Sequence, residues 1–156
     1  MSIAPRLRWY LDAHGVRYEV RPHPHSVTSA ETARLAQVPL DALAKPVLLE
    51  DELGYVMAIV PASRVVDLRS LSNQLHRDLE LASEREMETL FHDCERGAMP
   101  PLGSPYRIPT VYDDAIAALP EIWFEAGDHE DVVHMEGVEF LRLLSGSRHG
   151  SFTRGY

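Results

Sequence analysis

Along residues 4–14, Leu7, Tyr10, Leu11 and His14 recur at helical spacing, and Gly15 follows where a C-cap belongs. The period then changes from helical to alternating. Val16, Tyr18 and Val20 read as a half-buried strand, and the prolines at 22 and 24 hold "RPHPH" extended. Thr28 with Glu31 three positions on is a capping-box pattern, opening a helix through about Gln37. "PVLLED" and "YVMAIVP" predict two strands joined by a turn at "ELG". Asp67 with Ser70 caps a helix over "LRSLSNQLH", "DLELA" is a short strand, and Ser83 with Glu86 opens a helix over "EREMETLFH".

The stretch "DCERGAMPPLGSPYRIP" holds two glycines and four prolines and predicts no regular element. "TVYDDAI", "EIWFEA" and "DVVHME" predict three more strands, and "VEFLRLL" a helix. The tail "SGSRHGSFTRGY" lacks an apolar period and is expected to be mobile. The order lacks strict strand–helix alternation, so the expected class is α+β. We expect a curved mixed or antiparallel sheet of about six strands, barrel-like and surrounded by helices. Residues 1–144 are expected to form one domain, with 145–156 as the tail.

Composition narrows the function classes. With 156 residues and 45% hydrophobic content the chain can bury one proper core. It has no apolar run long enough to span a bilayer, no signal-peptide core, and a single cysteine, Cys94. These features predict a soluble cytoplasmic domain with no membrane partner. The net charge of −9 disfavours long non-specific tracts on nucleic acid, and no DNA partner is expected. The imbalance is local, because nine acids and no Lys or Arg lie between Arg107 and Arg142. A polyanion could still dock on the first two-thirds of the chain.

Eight histidines raise the question of a metal, but there is no HExxH, no paired CxxC and no compelling third ligand beside His23 and His25, or His129 and His134. No metal or other cofactor is expected. His92, Asp93 and Cys94 are contiguous, and contiguity on a chain does not make a triad. Cys94 reads better as a lone, partly buried thiol. No GxSxG elbow, Walker loop or GxGxxG occurs.

"GAMPPLG", residues 97–103, remains. Gly97 permits close approach or a positive φ, and Pro100 and Pro101 stiffen the loop, so the N–H groups of Gly97, Ala98 and Met99 would be held in place. Rigid amide donors suit an oxyanion or a phosphate. The same residues also suit a plain chain reversal. One further oddity is cationic: of fifteen basic residues only Lys45 is a lysine, and it stands at the entry of a strand.

Taken in order, "AKPVLLED…GYVMAIVPASRVVDLRSL", "FHDCERGAMPPLG" and "EIWFEAGDHEDVV" resemble the prolyl-tRNA synthetase-associated editing domain family, the YbaK-like aminoacyl-tRNA deacylases. The resemblance covers about residues 5–144. Its marks are Lys45, the GxxxP loop from Gly97 to Pro101, and "HPHSVTSAETA" as a His-Pro turn followed by a helix. It implies hydrolysis of the ester joining a wrong amino acid to the 3′ adenosine of tRNA. Lys45 would contact the terminal nucleotide or ester. The amides of Gly97, Ala98 and Met99, in a loop closed by Pro101, would hold the carbonyl and the attacking water.

Substrate-binding positions implied by the resemblance are His25, Thr28, Ser29, Pro100, Asp128 and His129. The substrate's ribose hydroxyl can help activate the water, so neither a protein base nor a metal is needed. A compact ammonium suits a phosphate or ester oxygen in a narrow cleft better than a planar guanidinium fork. The implied partners are the acceptor end of an aminoacyl-tRNA and an aminoacyl-tRNA synthetase. Relatives that clear alanine carry a histidine motif where this chain reads "EAGDHEDVVHM", so the amino-acid pocket is not carried over. The competing readings are a non-catalytic tRNA- or synthetase-binding module and a hydrolase of another small acyl ester.

Overall fold

The computed structural model describes residues 3–155. Its elements follow the sequence pattern closely at the caps. α1 (Pro5–Ala13) buries Leu7, Tyr10 and Leu11, and the chain leaves it through Gly15 at φ +61°. α2 (Ser29–Ala36) starts where the Thr28 hydroxyl accepts the Glu31 amide, and the Glu31 carboxylate accepts the Val27 amide in return. α3 (Leu68–Leu75) is capped by Asp67, and α4 (Glu84–Leu90) by the Ser83–Glu86 box.

β2 (Ala44–Asp51) and β3 (Gly54–Pro61) form the predicted antiparallel hairpin, with Lys45 opposite Val60. They are the centre of a five-stranded sheet in the order β5-β2-β3-β6-β9, with β5 at Glu80–Leu81, β6 at Thr110–Asp113 and β9 at Arg148–Gly150. A second sheet, β1-β8-β7, joins β1 (Glu19–Pro22), β8 (Asp131–Glu136) and β7 (Glu121–Glu125). A single parallel bridge from Leu43 to Trp123 stitches the two sheets together. α6 (Gly137–Leu143) covers the β7–β8 hairpin, with Phe140 against Phe124 at 5.7 Å between ring centroids. The class is α+β, as expected, with helices around mixed sheets.

Four expectations change. The sheets stay open and do not close as a barrel, since among the described residues one bridge links them. "TVYDDAI" splits, because the Asp113 carboxylate caps a short helix, α5 (Asp114–Ala117), by accepting the Ala115 amide. The first strand pairs later than its apolar alternation suggested, at Glu19–Pro22. The tail is ordered: β9 pairs with β6, and β10 (Thr153–Gly155) pairs with β4 (Arg64–Val66), a strand the pattern did not reveal. Phe152 explains this order. It is 2% exposed, packs into the cluster of Val56, Val60, Leu71 and Val111, and its amide donates to Asp113.

Besides the cluster around Phe152, two further layers of core result. The larger one holds α1, α6 and the inner faces of β3 and β7 around Leu7, Met57, Ile59, Phe91 and Phe124. The smaller one holds α2 against Leu43, Val132 and Trp123. β7 is therefore covered on both faces, and a carboxylate at its end is carried inside. No helix among the described residues is long and apolar enough to cross a membrane.

Candidate functional site

At the end of β7 the chain turns through Ala126–Glu130 into β8, and this turn meets two other irregular segments. One is the stretch from His23 to Thr28 before α2, tied by the Ser26 amide to the His129 carbonyl (3.1 Å) and by the His23 amide to the Glu130 carbonyl (2.8 Å). The other follows α4, where the Glu95 amide bonds the Gly127 carbonyl at 2.7 Å. Three segments distant in sequence thus converge on one place.

The GxxxP loop lies there. Gly97 has φ +80°, and a β-carbon built on it would stand 3.5 Å from the His129 ring and 3.9 Å from the Val27 carbonyl oxygen. The position therefore demands glycine for its backbone conformation, while space for a methyl group exists. Among the described residues the amides of Gly97 and Met99 meet no acceptor, whereas the Ala98 amide bonds the Glu95 carbonyl at 3.1 Å. Two of the three expected loop donors thus remain, and the third holds the loop in shape. Ala98, Pro100 and Pro101 are buried.

His129 is the hub. It is 4% exposed and has φ +60°. Its Nε2 meets the Arg96 carbonyl, which can only accept, so Nε2 carries the proton. The other ring nitrogen, Nδ1, faces Glu125 Oε1 at 3.6 Å. Burial raises the Glu125 carboxyl to about 7; the His129 ring and the Thr32 hydroxyl (3.4 Å) oppose that rise, and Asp128 adds to it. Behind the carboxyl, the Ser26 and Thr32 hydroxyls bond each other at 2.6 Å. The His25 ring stands edge-on to His129 at 5.6 Å and pairs with Glu130 at 3.6 Å.

The other predicted residues divide. Asp128 lies in the same turn, but its Oδ1 accepts the amides of Glu130 and Asp131 and closes the hairpin. Asp131 beside it is raised to about 6 by burial first and by Asp128 second. The Thr28 hydroxyl is engaged as the α2 cap, and Ser29 is the half-buried first residue of that helix. Lys45 is half-buried on β2, two residues beyond the Leu43–Trp123 bridge, just as Glu125 is two residues beyond it on β7. Side chains alternate along both strands, so Lys45 shares the face of Leu43, and Glu125 that of Trp123.

His134 sits elsewhere, stacked on Trp123 at 4.3 Å and bonded to Glu121 at 3.0 Å. Cys94 is half-buried between Tyr106 and Asp93, and burial pushes its thiol up to about 12, which makes it a poor nucleophile. No three His, Cys, Asp or Glu side chains among the described residues converge as a metal set.

Sequence reasoning did not single out Glu125, Ser26 or Thr32. The only available signal for Glu125 was its place at the end of the apolar run "EIWFEA", where alternation gave no reason to bury it.

The profile of the family described as "Aminoacyl-tRNA editing domain" matches residues 23–143. No curated protein matches the chain. Among solved structures, a proposed trans-editing enzyme for prolyl tRNA synthetase superposes with TM-score 0.84 at 23% identity, over 99% of this chain and 100% of that one. The hypothetical protein APE2540 superposes with TM-score 0.85 at 18% identity, over 96% and 99%. A protein from Marinobacter aquaeolei VT8 described as one of signal transduction gives TM-score 0.78 at 23% identity, where 97% of this chain covers 31% of that one.

Proposed function

The chain belongs to the aminoacyl-tRNA editing domain family, and from that premise we propose that it is a free-standing trans-editing deacylase. Its substrate would be a mischarged tRNA, and its reaction hydrolysis of the ester at the 3′ terminal adenosine. The observation that carries this reading is the convergence of Gly97, at φ +80°, with His129 and the Val27 carbonyl. It brings the loop amides, the histidine turn and the segment leading into α2 to one place.

In the reaction a water oxygen adds to the ester carbonyl carbon. The carbonyl oxygen then carries negative charge, and the N–H groups of Gly97 and Met99 are the donors suited to it. Collapse of this intermediate breaks the bond to the ribose oxygen, which leaves with a proton originating from the attacking water. The neighbouring ribose hydroxyl assists that transfer. Lys45 supplies a point charge to the terminal nucleotide or ester. His129, fixed by Arg96 and Glu125, acts as a positioning residue that holds the Gly97 loop.

Purified protein incubated with a panel of charged and mischarged tRNAs should release the amino acid from at least one mischarged species. Stability of every ester in the panel would overturn the enzyme reading in favour of a binding module.

A further inference from the structure

An open groove of about 580 Å³ runs between the start of α1 and the loop after the GxxxP stretch, lined by Pro5, Arg6, Trp9, Ser104, Pro105 and Arg107. Trp9 is 69% exposed, although an indole of this size usually buries its faces. Among the described residues no acid lines the groove, in a chain whose net charge is −9. The Arg6 guanidinium is oriented, since it donates to the Pro105 carbonyl at 3.3 Å and lies 5.9 Å from the Tyr106 ring centre. The start of α1 is tied to segments that lead into the candidate site. The Arg6 amide donates to Asp93 (3.0 Å), on the segment leading to Gly97, and the Ala4 amide donates to Ala126 (2.8 Å), at the start of the histidine turn.

An exposed indole beside two guanidinium groups matches one ligand chemistry well: an unpaired base with its phosphates. Every base offers a π face for stacking, and arginine satisfies the phosphate. We propose that this groove holds an unpaired nucleotide of the RNA acceptor strand, with the base on Trp9 and its phosphate at Arg6 and Arg107. The inference rests on the proposed function for the identity of the strand, and it adds a second contact beyond the scissile ester.

The test uses the full chain and an uncharged RNA hairpin with a four-nucleotide single-stranded 3′ extension, beside the same hairpin made blunt. The extended hairpin should bind more tightly than the blunt one. Trp9→Ala should weaken the extended hairpin by about 5- to 150-fold, the range that loss of one base–aromatic stack gives. Trp9→Phe should retain most of the affinity, and both variants should melt with wild type because the side chain is exposed. Arg107→Gln should lower the salt slope for the extended hairpin by about 0.7, as expected for one single-strand phosphate.

Equal binding of the two hairpins, or of wild type and Trp9→Ala, overturns the proposal. A separate ester-release assay distinguishes the two readings. Deacylation with Trp9-independent RNA binding removes this groove alone, whereas Trp9-dependent binding without deacylation on any charged tRNA removes the enzyme reading and leaves the groove.

Discussion

Gly97 concentrates the residue-scale argument. Its φ of +80° penalises any side chain, while the nearest atom to a new β-carbon is 3.5 Å away. Gly97→Ala should therefore cost about 1–2 kcal/mol in stability through backbone strain alone. If the loop amides serve the oxyanion, deacylation should fall about 10²-fold, with a smaller change in affinity for uncharged tRNA. Gly97→Asn, better tolerated at positive φ, should melt closer to wild type; full turnover in either variant would reduce the loop to a turn. Lys45→Ala and Lys45→Arg should both lose most deacylation, and an active arginine variant would mean that any cation serves. Glu125 carries a pH prediction. Its folded-state value, about 7, exceeds the ordinary 4.5, so the folded state binds this proton more tightly. The resulting stability is present below pH 4.5 and lost as pH rises through 7; Asp131, raised from 3.8 to about 6, acts the same way. Melting temperature should fall between pH 5 and pH 8, and Glu125→Gln should flatten that fall. An unchanged slope in the variant would show that Glu125 is ionised throughout.

Elements were predicted best where a side chain caps a helix, and worst where a strand depends on a distant partner. Thr28, Asp67 and Ser83 each accept the amide three residues on, a local bond that sequence spacing announces. β4 and β10 are three residues each, and they exist through pairing with each other, reinforced by Arg64 donating to the Thr153 hydroxyl and carbonyl. That makes the tail a structural element with a measurable contribution. Phe152→Ala should destabilise the fold by about 3–5 kcal/mol, the usual cost of removing a buried phenyl ring. Chemical denaturation would check it, and a variant as stable as wild type would return the tail to the mobile segment its composition suggested.

At the scale of the whole molecule, charge limits how the chain meets RNA. Nine acids and no Lys or Arg between Arg107 and Arg142 disfavour a broad polyanion interface over β6 to β8 and α6. Binding should be confined to the acceptor end through two or three phosphates, giving a slope of log K against log salt of magnitude about 2–3. A slope near −8 in a titration of tRNA across salt concentrations would require a broad RNA face that this charge distribution does not offer.

Caps, turns, the α+β class and the irregular course of the Gly97–Pro101 loop were legible in sequence because each rests on interactions within a few residues. The loop's glycine and prolines announce a rigid irregular segment wherever the chain later puts it. What tertiary structure alone decided is company. Glu125 became a buried, proton-binding carboxyl because both faces of β7 are covered, by α2 on one side and α6 on the other. His129 became the hub because the Ser26 amide and hydroxyl and the Arg96 carbonyl, from segments 103 and 33 residues away, close on its turn. Asp128, a candidate ligand contact by sequence, was drawn into holding that turn together. Long-range packing sets the solvent exposure and partners of each polar group, and those set its chemistry; neither is encoded in local periodicity.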